Sequence, residues 1–207
     1  RVNFVLRRQR KQKSTSQLDL VIVGLGNPGE KYAETRHNVG QEVLKALSLH
    51  FGGSFKKSKT LSLCSEIQIQ QKKVVLAIPQ TFMNESGMSL QKLVHRYNVT
   101  NPENILIVHD ELDLEPGTMK IKLGGGLAGH NGLKSIEQHL KTKGFGRLRI
   151  GIGKPGSSEL GKNYVLKRPS KNEQEEIETC IGRSIEVIQS LLSSGYEQTM
   201  NKFNGSI

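Results

Sequence analysis

The feature that most constrains this chain is its alternation of short β-branched runs with longer stretches of helical periodicity. Leu18-Asp19-Leu20-Val21-Ile22-Val23 is apolar at nearly every position and stops at Gly24. A run of this kind reads as a strand buried on both faces. Val39, Val43, Leu44, Leu47 and Phe51 then recur at helical spacing until Gly52-Gly53. Residues 62–69 (SLCSEIQI) and 73–78 (KVVLAI) read as strands around the turn Gln70-Gln71-Lys72. A helix from about Ser86 carries Met88, Leu93, Val94 and Tyr97. Residues 104–109 (NILIVH) read as a central strand, 118–123 (TMKIKL) and 147–152 (RLRIGI) as two more. Asn131 opens a helix with Leu133, Ile136 and Leu140, and residues 171–194 form a long one. Strands separated by helices join through crossovers. The pattern therefore implies a single α/β domain, a mostly parallel mixed twisted sheet surrounded by helices.

Charge points to a partner. The chain has 30 Lys and Arg against 19 Asp and Glu, a net of +11. Such an excess favours a polyanion, nucleic acid before membrane. Residues 1–17 hold six basic side chains and no acid, whereas residues 171–207 are net acidic. The first segment reads as a flexible basic N-terminal arm, and residues 18–207 as the folded domain. An Arg-rich, acid-free arm ending in Ser-Thr-Ser resembles the end of a transit peptide, implying a mitochondrion or other organelle. Read as a plain basic tail, it leaves the chain cytoplasmic. Within the core, Lys120, Lys122, Lys134, Arg147, Arg149, Lys162, Lys167 and Arg168 lie where acids are sparse, which suits a phosphate-binding stripe.

Several chemistries are disfavoured by pattern. Cys64 and Cys180 lie far apart without ligand-type neighbours, so neither a disulfide framework nor a cysteine zinc site is expected. No metal-ligand spacing such as H-E-x-x-H occurs, no apolar run reaches membrane length, and there is no G-x-S-x-G elbow. Gly24-Leu25-Gly26-Asn27-Pro28-Gly29 matches a dinucleotide fingerprint, yet Pro28 resists helical continuation, and no acidic residue ends a second strand about twenty positions on. No cofactor is expected.

What remains is loop chemistry at one sheet edge. His37 follows the first strand and Asp110 follows the strand at 104–108. A carboxylate that fixes an imidazole tautomer makes a general base. Asn27, Asn84 and Asn131 each follow a strand and precede a turn or helix. They offer amide donors and acceptors for a peptide, or else serve simply as helix caps.

As a set, GLGNPG, TRHNVG, PQTFMNESG, VHDELDL, KLGGGLAGHNGLKS and RLRIGIGKP, in this order, resemble bacterial-type peptidyl-tRNA hydrolase. The resemblance spans about residues 18–204 and implies a monomeric enzyme without metal or cofactor. Its substrate would be the peptidyl-tRNA ester, bound through the acceptor stem and 3′ end. By the same resemblance His37 is the base, Asp110 its partner, and Asn27, Asn84 and Asn131 shape the ester site. Tyr32, Phe82, Met83 and His130 line or border the cleft, and Lys120, Lys122 and Arg149 meet tRNA phosphate. Leu127 and Ala128 depart from the family's usual His-Gly in the glycine loop. The alternative on the same fold is an RNA-binding or splicing partner, with hydrolysis secondary or absent.

Overall fold

The computed structural model describes residues 17–156 and 161–205. Apart from Gln17, the basic arm lies outside them. Seven strands form one mixed sheet: β1 (Leu20–Gly24), β2 (Lys56–Ser58), β3 (Ser62–Ile69), β4 (Lys72–Pro79), β5 (Ile105–Glu111), β6 (Met119–Leu123) and β7 (Gly146–Gly151). Their order is β2-β3-β4-β1-β5-β7-β6. The central four, β4, β1, β5 and β7, are mutually parallel. Antiparallel strands flank them on both sides. The expected parallel character is thus confined to the middle of the sheet.

Period-two alternation divides the strands between two cores. Leu20 and Ile22 face α1 (Val39–His50) and α5 (Lys171–Phe203), where Leu44, Leu47, Ile177 and Ile188 complete one cluster. Val21 and Val23 face α2 (Ser86–Arg96) and α3 (Asn131–Leu140), where Leu90, Leu93, Leu133 and Ile136 complete the other. α1 lies hard against the sheet because Gly40 has no side chain. A Cβ there would overlap the Val108 carbonyl oxygen and lie 2.8 Å from Leu25 N. That close approach fixes where the turn before α1 meets β5.

Four details differ from the sequence reading. The long helix does not end near residue 194: it kinks at Gly195 (φ 79°) and continues to Phe203. β2 and the five-residue α4 (Gly161–Val165) were not expected, because three polar residues and a single turn carry no period. Met88 is not a core residue but 41% exposed. The turn at Gln70-Gln71 does form, with both residues at positive φ.

Candidate active site

The crossover from β1 to α1 passes through a short 3-10 turn, Arg36–Asn38. The turn is pinned from both sides. Asn38 Oδ1 accepts from Asn27 N, and Asn38 Nδ2 donates to Asn27 O, both at 2.9 Å. Arg36 is buried, donates to the carbonyls of Tyr164 and Arg168, and forms an ion pair with Glu173 at 2.7 Å. The turn's middle residue, His37, is therefore held by its neighbours on each side.

His37 Nδ1 lies 2.9 Å from both carboxylate oxygens of Asp110, at the end of β5. A carboxylate only accepts, so the proton sits on Nδ1 and the Nε2 lone pair is free. The expected pair is thus in contact. A third imidazole joins it: His130 Nε2 lies 2.9 Å from Asp110 Oδ1. His130 also caps α3, its Nδ1 accepting from Gly132 N at 3.1 Å and Leu133 N at 3.4 Å. Those amides fix its tautomer, with the proton on Nε2 facing Asp110. Asn131, one of the three asparagines read as possible caps, is not the cap.

Burial pushes the Asp110 carboxyl up, but the fields and hydrogen bonds of His37 and His130 outweigh it and hold it well below the carboxylate range. Burial likewise pushes His37 down, and the Asp110 charge and hydrogen bond together reverse this, leaving it above 6.5. His109 is fully buried and pushed down to about 3 by desolvation, then by His130. It donates from Nδ1 to Asp110 O at 2.7 Å.

Asn27 Oδ1 accepts from Met83 N at 2.8 Å, which fixes the amide orientation. No hydrogen bond among the described residues engages Nδ2. Met83 is buried, while Tyr32 and Phe82 meet edge to face, their centroids 6.4 Å apart. Asn84 and Asn131 are exposed, each one residue beyond a buried contact, Met83 and His130 respectively. Of the three asparagines, only Asn27 is tied into the buried network.

On β6 and β7, Lys120 pairs in register with Arg149 and Lys122 with Arg147. Lys122, Arg147 and Arg149, but not Lys120, line a cleft of about 230 Å³ with His109, Glu111 and Leu133. Arg149 is held by Glu111 at 3.1 Å. Arg147 does not belong to a phosphate stripe: it is buried and donates to the carbonyls of Gly125, Gly126 and Lys143. Arg168 is paired with Glu34 at 3.4 Å.

The donor atoms of His37, Asp110 and His130 lie within 4.8 Å of one another, a grouping that could hold a cation. The sequence spacing did not reveal it. Its chemistry fits a metal poorly, because both imidazole nitrogens that face the carboxylate carry protons.

A family model described as peptidyl-tRNA hydrolase matches residues 21–207. The chain belongs to the peptidyl-tRNA hydrolase family. A protein of that name from Ruthia magnifica is 45% identical over 181 residues, covering 87% of this chain and 94% of the relative. The one from Haemophilus influenzae is 42% identical, covering 89% and 95%. The crystal structure of peptidyl-tRNA hydrolase from Acinetobacter baumannii superposes with a TM-score of 0.86 at 40% identity, covering 92% and 97%. These relatives are bacterial and lend the organelle reading no support.

Within this peptidyl-tRNA hydrolase family chain, the departure at Leu127 and Ala128 has a local meaning. Ala128 holds φ 49°, a conformation that glycine prefers. Leu127 packs against the α2–α3 core. Sequence reasoning missed Arg36 as a clamp, Glu111 as the Arg149 partner, and His130 as both cap and Asp110 donor. Only the third carried a signal, its place one residue before a helix.

Proposed function

We propose that this chain hydrolyses the ester joining a peptide, or an N-blocked aminoacyl group, to tRNA. The observation that carries the reading is the His37–Asp110 contact with Nε2 left open, in a chain that belongs to this family. Asp110 holds the Nδ1 proton, Nε2 takes a proton from water as the water attacks the ester carbonyl, and the imidazolium returns it to the tRNA ribose oxygen as the ester C–O bond breaks. Asn27 Nδ2 and the Asn84 amide hold the peptide and the water. Asn131, or a backbone amide, stabilises the developing oxyanion. Lys120, Lys122 and Arg149 contact acceptor-stem phosphates, and Tyr32, Phe82, Met83 and His130 border the acyl group. The mechanism uses protein groups alone, with no metal or cofactor step.

We further read the protein as a cytoplasmic monomer with no membrane role; no described helix is long and apolar enough to cross a membrane. Nothing in the comparisons favours the splicing-partner alternative. The test is deacylation of an N-acetyl-aminoacyl-tRNA by the purified chain. His37→Ala should lower kcat by about 10²–10⁴-fold. A variant with near-normal turnover overturns the assignment.

A further inference from the structure

The strand order gives the active site a direction. Lys120, Lys122 and Arg149 sit on β6 and β7, to one side of the His37–Asp110 pair at the ends of β1 and β5. On the other side come β4 and β3. An ester held at His37 with its tRNA toward β7 and β6 sends its acyl chain toward β4 and β3.

That side of the edge exposes large apolar side chains among polar ones. Five large apolar side chains among the described residues are exposed, and three of them lie here: Leu61 (39%), Met88 (41%) and Phe82 (53%). Hydrogen bonds knit their segments into one surface. Gln80 N donates to Leu61 O at 2.8 Å, and Ser89 Oγ donates to Thr60 O at 2.8 Å. Leu61 and Met88 each neighbour a residue of the Ser89–Thr60 bond, and Phe82 lies two residues beyond Gln80. Leu61 is also unusual in its backbone. It ends the three-residue loop between β2 and β3 at φ 56°, the position glycine normally takes in such a hairpin. Folding of the loop does not call for a leucine there, and an exposed apolar side chain gains nothing in the free protein.

We propose that Leu61, Met88 and Phe82 form a subsite for apolar side chains of the peptide, upstream of the residue esterified to tRNA. The inference rests on the hydrolase reading above. It names a substrate class within it: peptidyl-tRNAs carrying apolar residues at the second or third position from the ester. A single blocked aminoacyl group carries no upstream side chain to fill the subsite.

The test uses three substrates on one tRNA with the same esterified residue. One is N-acetylated directly, one carries Leu-Leu upstream, and one carries Ser-Ser upstream. The wild type should show a KM about tenfold lower for Leu-Leu than for Ser-Ser, the scale of partly burying two apolar side chains. A Leu61→Asn, Met88→Gln double variant should erase that difference with kcat unchanged. It should leave the N-acetyl-aminoacyl substrate unaffected. Asn tolerates the left-handed backbone and Gln suits a helix, so the fold is kept. Equal wild-type KM values for Leu-Leu and Ser-Ser, or a double variant that keeps the preference, overturn the subsite alone. Failure of the wild type to turn over any of the three overturns the hydrolase reading, and the subsite with it.

Discussion

Replacing Asp110 with asparagine isolates the role of the carboxylate charge. In the wild type Oδ1 accepts from both His37 Nδ1 and His130 Nε2, and Oδ2 accepts from His37 as well. Asparagine offers one oxygen and one NH2. His130 cannot move its proton to Nδ1 without losing the α3 amides that bind there. It therefore keeps the amide oxygen, and the NH2 faces His37. Two donors cannot share that contact, so the His37 proton moves to Nε2 and the base is lost. A wrong tautomer of this kind costs about 10⁴ in kcat in the serine-protease triad. A loss of about 10³–10⁴ is expected here, near 4–5 kcal/mol of barrier. The pH profile adds an independent readout. Activity needs neutral His37, whose pKa is held above 6.5, so wild-type kcat/KM should fall as pH drops through a value above 6.5. Without the carboxylate, burial alone acts on the ring and the acid limb should shift below 6.5. Steady-state deacylation between pH 5 and 9 reads both effects. A loss under tenfold, or an acid limb that stays in place, refutes the dyad.

His130→Ala should weaken α3 by about 1 kcal/mol through loss of its cap and reduce kcat several-fold. His130→Asn should restore the cap and the urea midpoint but not kcat; full recovery of kcat would make the Asp110 contact idle. Gly40→Ala places a methyl against the Val108 carbonyl and should cost about 1–3 kcal/mol in urea unfolding. An unshifted midpoint would show that α1 does not need that approach. Lys122→Gln should lower the slope of log K against log salt for tRNA binding by about one. An unaltered slope removes Lys122 from the interface. His109 titrates at about 3 when folded and near 6.5 when unfolded. Between these values the unfolded chain takes up a proton that the folded one refuses, so stability should decline as pH falls from 6.5 toward 3. His109→Asn should flatten that decline, and urea midpoints from pH 7 to 4 would show whether it does.

The sheet was legible because its inner strands are buried on both faces and so are written in β-branched residues. β2 was not, because Lys56-Lys57-Ser58 forms an edge strand whose side chains are largely solvated. Met88 misled because its place in an amphipathic helix suggested a core residue, although only packing decides which flank of the stripe is covered. His37 and Asp110 could be paired from sequence, since parallel strands bring their carboxyl ends to one edge. His130 was placed at the cleft border by resemblance, but its cap and its Asp110 contact were not read. Caps are expected from Asn, Ser or Asp, and Asn131 next to it drew that role. Arg147 looked like its neighbour Arg149 in an alternating strand. Its guanidinium reaches instead to carbonyls of the glycine loop, which nothing in the spacing records.

Three imidazoles bond Asp110, two at its carboxylate and one at its carbonyl, and the structure determines which of them becomes the base. His109 spends its Nδ1 proton on the Asp110 carbonyl, and its Nε2 is buried without a partner, so desolvation keeps it neutral. His130 presents its lone pair to the amides of α3 and its proton to Asp110, so neither of its nitrogens is open to water. Their rings lie 5.0 Å apart, and the His130 ring lies 5.0 Å from that of His37. The proton taken from water converts the His37–Asp110 pair, of charge −1, into a neutral ion pair. In a low-dielectric site that change lowers the buried net charge as the reaction proceeds. The helix cap and the buried histidine therefore leave His37 as the ring whose free nitrogen can take the proton of water.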